Sequence, residues 1–62
     1  MPTVDIQVIW GRSLEEKRAL VLGITEAIVE ALRVPKEIVK ITIHEVHDDQ
    51  VAKGGVLRID RI

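Results

Sequence analysis

The feature that most constrains this chain is a hydrophobic period that runs from two, to about 3.6, and back to two. Residues Thr3 to Trp10 alternate, with Val4, Ile6, Val8 and Trp10 on one face and Thr3, Asp5, Gln7 and Ile9 on the other. That is the pattern of a strand with one drier face. Gly11-Arg12 breaks the run. Ser13-Leu14-Glu15-Glu16 then reads as a capping box, Ser13 accepting from the backbone N–H of Glu16 while Glu16 reaches back. The two glutamates also face the positive end of the helix dipole. The spacing predicts a helix from Leu14 to Leu32. Its apolar stripe is Leu20, Ile24, Ala27, Ile28 and Ala31, widened by Val21 and Leu32. Gly23 in mid-helix costs about 1 kcal/mol relative to alanine, which predicts close packing against another element. Pro35 ends the helix, because a residue before proline avoids helical geometry.

Residues 38–46 alternate again and predict a second strand, with Val39, Ile41 and Ile43 opposite Lys40, Thr42 and His44. Strand, crossover helix and strand imply a parallel βαβ unit, right-handed by default. Polar His47-Asp48-Asp49-Gln50 makes a loop, and Val51-Ala52 and Val56-Leu57 flank a turn at Gly54-Gly55, a short hairpin. Arg58 to Ile62 are too few to assign. The expected fold class is therefore α+β, one domain over residues 1–62.

A chain of 62 residues makes a marginal core, and with no cysteine a disulfide cannot compensate. Yet 47% of the residues are hydrophobic, more aliphatic surface than one helix and two strands can cover. Oligomerisation is the expected remedy. A net charge of −1, no basic run and one aromatic residue exclude the cationic or stacking face of a nucleic-acid binder. There is no signal-peptide pattern and no membrane-length apolar run, so the expectation is no membrane association and a cytoplasmic location.

The candidate chemistry begins at Met1-Pro2. Small penultimate residues permit removal of the initiator methionine, which would turn Pro2 into a free secondary amine held at a strand end. Such an amine serves as a general base once its pKa is brought toward neutrality. Many chains begin Met-Pro with no such chemistry. Arg12 lies roughly 30 Å from Pro2 along an extended chain at ~3.3 Å per residue, so the two cannot cooperate within one subunit. An antiparallel neighbour would bring them together; otherwise Arg12 is a solvated loop cation. Lys40 lies beside the first strand, placed either to depress an amine pKa and hold a carboxylate or as a surface lysine. His44, His47, Asp48 and Asp49 lack the geometry and the third His or Cys of a metal site. Lys53-Gly54-Gly55 forms either an anion nest or a plain turn.

Met1-Pro2, the strand ending in Gly11-Arg12-Ser13, and the helix opening Ser13-x-x-Glu16-Lys17 together resemble the 4-oxalocrotonate tautomerase family. So do Thr25-Glu26-Ala27-Ile28, Pro35, Val39-Lys40-Ile41-Thr42-Ile43 with Glu45, and Gly54-Gly55, at matching spacing over almost the full length. The resemblance implies a βαβ subunit that dimerises into a four-stranded sheet, and three dimers in a hexamer. It implies an isomerase of aromatic catabolism that needs no cofactor or metal. In it Pro2 takes a proton from the 2-hydroxyl of a dienol such as 2-hydroxymuconate and delivers it to C-5. Arg12 would bind the distal carboxylate of a small unsaturated 2-hydroxy or 2-oxo acid, and the backbone N–H near Ile9 would donate to it. Two positions depart from the family pattern. Lys40 stands where well-known members carry a second arginine, and lysine cannot reproduce the bidentate fork. Val51 stands where they carry phenylalanine, a smaller apolar wall. The alternatives are a hydratase or dehalogenase of unsaturated acids, or a non-catalytic subunit of a mixed oligomer.

Overall fold

The computed structural model describes residues 1–61. Strand β1 (Thr3–Ile9) leads through a turn to helix α1 (Leu14–Leu32), and the chain returns through β2 (Lys40–Val46). A two-residue hairpin follows, β3 (Ala52–Lys53) and β4 (Val56–Leu57). β1 and β2 pair in parallel from Thr3 opposite Lys40 to Ile9 opposite Val46, and β3 and β4 pair antiparallel. This is the β-α-β arrangement with a terminal hairpin that the periodicity predicts.

The local signals act where they stand. Ser13 Oγ accepts from the Glu16 N–H at 3.1 Å and Glu16 Oε1 accepts from the Ser13 N–H at 3.0 Å, closing the capping box. Gly11 turns the chain into the helix at φ 118°, and Gly54 and Gly55 turn the hairpin at 60° and 81°. Side chains resist these angles. Lys17 Nζ, half-buried, pairs with Glu45 Oε1 and ties the helix to β2.

Several expectations are corrected. β1 stops at Ile9 and Trp10 enters the turn, although its N–H still donates to the Val46 carbonyl at 2.8 Å. The second strand begins at Lys40, because Lys36–Ile38 form a 3-10 turn in which the Ile38 and Val39 N–H groups donate back to Pro35 and Lys36. The covered helix face is Lys17, Leu20, Val21, Ile24, Thr25, Ile28 and Val29; Ala27, Ala31 and Leu32 are exposed. That face is rotated toward Thr25 and Val29, with Arg33, not Pro35, reversing the chain at φ 55°. Finally, Gly23 packs against nothing within the subunit, since an added Cβ would meet no atom within 4 Å. The His47–Gln50 stretch also has more order than a loop, with a 3-10 turn over Asp48–Gln50. Ile62 lies outside the described residues.

Among the described residues none is buried, and the chain exposes 5150 Å². A compact monomer of 7.0 kDa would expose roughly 4,000 Å². The radius of gyration is 14.7 Å, against roughly 10.6 Å for a compact domain of this length. The chain thus carries an excess of exposed surface in three dimensions, with Leu14, Leu22, Leu32 and Ile59 among its exposed hydrophobic residues. β1 also keeps an open edge. Pro2 C=O and Trp10 N–H both face β2, and alternate residues of a parallel strand face alternate sides. Thr3, Asp5, Gln7 and Ile9 therefore turn their backbone groups to the uncovered side. Such an edge is a template for another strand.

Candidate active site

Pro2 is held at the head of β1 by its own backbone. Its carbonyl accepts the Lys40 N–H at 3.1 Å, one step before the strand ladder begins. Met1 beyond it is 95% exposed, so the bond joining it to Pro2 stands clear of the sheet. Lys40 is thus Pro2's neighbour in the backbone. The register sets Lys40 across from Thr3, so its side chain leaves on the Thr3 and Asp5 face, opposite the face that Val4 occupies. That polar face also carries His44, whose Nε2 lies 3.4 Å from Asp5 Oδ1.

The remaining sequence candidates gather at the other end of β1. Ile9 closes the strand with its N–H toward the open edge. Arg12 follows in the turn, exposed, with Nη1 on Glu16 Oε2 at 3.0 Å. Glu16 thereby caps the helix with one oxygen and holds Arg12 with the other. The Ser13 N–H first, and then the Arg12 guanidinium, keep its carboxyl below the ordinary value of 4.5. Val51 is half-buried just before the hairpin, and its carbonyl accepts the Arg58 N–H at 2.7 Å. Within one subunit Pro2 and Lys40 therefore stand at one end of β1 and Ile9 and Arg12 at the other, while Val51 is tied to Arg58 on the segment that follows the hairpin. All of β1 lies between Pro2 and Arg12.

Three depressions of the surface lie at the Arg12 end of β1. One, about 590 Å³, runs past Ile9, Trp10, His47, Asp48, Asp49 and Ile59. The Trp10 and His47 rings stack there with centroids 5.3 Å apart. A second of about 440 Å³ is lined by Val8, Ile9, Trp10, Gly11, Arg12 and Arg58. Arg58 is the residue that sequence reasoning missed. It belongs to a short segment without periodicity, and only the return of the hairpin brings it to Arg12. Among the described residues no group of three or more His, Asp or Glu could hold a metal ion. No helix there is long and apolar enough to cross a membrane.

Comparison with known proteins gives one consistent answer. The profile of the family described as tautomerase enzymes matches residues 2–61. A probable tautomerase of Listeria monocytogenes is 37% identical, the match covering 97% of this chain and 98% of the relative. The 2-hydroxymuconate tautomerase of Comamonas testosteroni is 38% identical, with 90% and 89% covered. Among solved structures, a 4-oxalocrotonate tautomerase isozyme of Methylibium petroleiphilum superposes with a TM-score of 0.87 at 39% identity, covering 97% and 100%. The heterohexameric 4-oxalocrotonate tautomerase of Chloroflexus aurantiacus gives 0.90 at 30%, covering 97% of each chain. A trans-3-chloroacrylic acid dehalogenase gives 0.82 at 30%, covering 90% and 97%. Fold, length and sequence agree: the chain belongs to the tautomerase family.

Proposed function

We propose that this protein is an isomerase that moves a proton along a small unsaturated 2-hydroxy or 2-oxo acid of the 2-hydroxymuconate type, with Pro2 as base and then acid. The observation that carries the reading is the anchored Pro2, its carbonyl tied to Lys40 and its preceding Met1 exposed. Once Met1 is removed, the ring nitrogen is a secondary amine. It takes the proton of the 2-hydroxyl, the O–H electrons close the C=O, and the double bonds shift along the chain. The prolinium then returns the proton at C-5. Neither oxidant nor metal enters the balance.

The site is composite in this reading. Arg12 is a full strand away from its own Pro2, whereas an antiparallel pairing of two β1 edges brings it to the neighbour's Pro2. Such pairing uses the free backbone groups of Thr3, Asp5 and Gln7, and gives the four-stranded sheet of a dimer. Arg12 then holds the distal carboxylate and draws electron density toward it. Ile9 offers its N–H at the same end, Val51 an apolar wall, and Lys40 a point charge for the other carboxylate. A homohexamer of three such dimers is the assembly proposed, for which the surface excess and the hexameric relative are the support. The similarity to a trans-3-chloroacrylic acid dehalogenase favours one second reading, hydration or dehalogenation of an unsaturated acid by the same amine.

The test begins with the intact mass. Protein lacking the methionine should ketonise 2-hydroxymuconate, and Pro2→Ala should keep the fold while losing at least two orders of magnitude in turnover. Undiminished ketonisation by Pro2→Ala would refute the assignment. Halide release from 3-haloacrylate without ketonisation would shift it to the second reading.

A further inference from the structure

The second arginine on the Arg12 depression has no part in the reading above, and its geometry gives it one. Arg58 begins the 3-10 turn Arg58–Asp60. Its backbone is pinned by the bond from its N–H to the Val51 carbonyl, 2.7 Å. Its side chain is pinned through Nε, which donates to Asp48 Oδ1 at 3.2 Å. Arg12 is pinned in the same manner through Nη1 on Glu16. A guanidinium carries five N–H donors in a fixed fork, so each acid orients its arginine while engaging one nitrogen. Among the described residues, both terminal nitrogens of Arg58, and Nη2 and Nε of Arg12, make no other hydrogen bond and can turn to a ligand. The depression that the two arginines share is lined otherwise by Val8, Ile9, Trp10 and Gly11, an apolar surface beside two cations.

We propose that Arg12 and Arg58 form one two-guanidinium receptor for the carboxylate of a planar unsaturated acid, with Arg58 a binding residue of the active site. This rests on the composite-site reading and extends it. The charge that the chain lacks at position 40 as a fork is supplied from the segment after the hairpin, at the opposite end of the strand. The ligand class is an acid whose carboxylate lies at one end of a flat conjugated chain, the end remote from the proline.

Trp10 is the sole tryptophan and lines the site, so its fluorescence reports binding directly. The probe is hexa-2,4-dienedioate, a flat dicarboxylate with no hydroxyl to tautomerise, titrated into wild type, Arg58→Gln, Arg58→Lys and Pro2→Ala. Glutamine can still donate to Asp48, so Arg58→Gln keeps the structural contact and loses the fork. It should bind the diacid about tenfold or more weakly, the scale of one charge-assisted pair. Arg58→Lys should recover only part, because an ammonium is a point charge. Hexa-2,4-dienamide, which has no carboxylate, should bind all four proteins alike. Diacid binding by Arg58→Gln within twofold of wild type would overturn the proposal, as would an equal loss for the amide. Pro2→Ala separates the two claims. If Arg58→Gln loses the diacid and Pro2→Ala keeps it while the wild type fails to ketonise dienols, the receptor stands and the catalytic reading falls.

Discussion

Dilution should unfold this protein. The chain exposes 5150 Å², roughly 1,100 Å² more than a compact monomer of its mass. That excess exceeds the ~800 Å² per partner of a standard interface. No described residue is buried without a partner, so folding and assembly should be one transition. Mass action then sets the size of the effect. For n subunits that dissociate as they unfold, a hundredfold dilution lowers stability per subunit by RT ln 100 multiplied by (n−1)/n. This is about 1.4 kcal/mol for a dimer and about 2.3 kcal/mol for a hexamer, at about 1.4 kcal/mol per tenfold. With a urea slope near 1 kcal/mol/M, the low end for a small chain, the midpoint falls by about 1.4–2.3 M. The assay is urea unfolding followed by far-ultraviolet circular dichroism at two subunit concentrations a hundredfold apart. Superimposable curves would mean that a lone subunit carries its own stability, and would refute the argument from surface.

Three further outcomes follow from single residues. Arg33→Gly should stabilise the protein by about 0.5–1 kcal/mol, because Arg33 closes α1 at φ 55°, where a side chain costs energy; a lower thermal midpoint would contradict this. Gly23→Ala should stabilise α1 by a similar ~0.5–1 kcal/mol, since its added Cβ meets nothing; loss of the oligomer in this variant would instead show a neighbouring subunit packed on that glycine. The Glu16 carboxyl is held below 4.5 by the Ser13 N–H and then Arg12. A lowered folded value means that its stabilising contribution is complete above the unfolded value and is lost as pH falls through the folded value. An NMR carboxyl titration should place Glu16 below 4.5, and Glu16→Gln should remove this part of the acid sensitivity; a Glu16 midpoint at or above 4.5 would refute the clamp.

What was legible in the sequence was whatever one short stretch decides alone. Ser13 and Glu16 close their box within four residues, and Gly54-Gly55 take positive φ that side chains resist, so helix start and hairpin fell where expected. The parallel pairing followed because a crossover helix between two alternating runs leaves little other choice. Ile38 and Val39 misled because β-branched residues read as strand, while the proline before them favours a tight turn that uses their amides. Arg33 gave no signal because arginine is not a left-handed residue by preference. The helix face was misjudged for a related reason: alanines count as apolar in a stripe but reach too little surface to define it. Pro2 and Arg12 were legible as candidates but not as a site, since their separation along β1 needs a second chain to close it. Arg58 was invisible, because only the return of the hairpin sets it on the Arg12 depression.

The central claim is that the site takes Pro2 from one subunit and Arg12 from another, and co-refolding tests it most directly. Pro2→Ala and Arg12→Ala subunits, each inactive alone, are unfolded together in equal amounts, reassembled, and assayed for ketonisation of 2-hydroxymuconate. Random assembly in a symmetric oligomer pairs an intact Pro2 with an intact neighbouring Arg12 at about a quarter of the sites. Recovery of about that fraction of wild-type activity is the predicted result. A mixed oligomer with no more activity than its inactive parents would contradict the composite site.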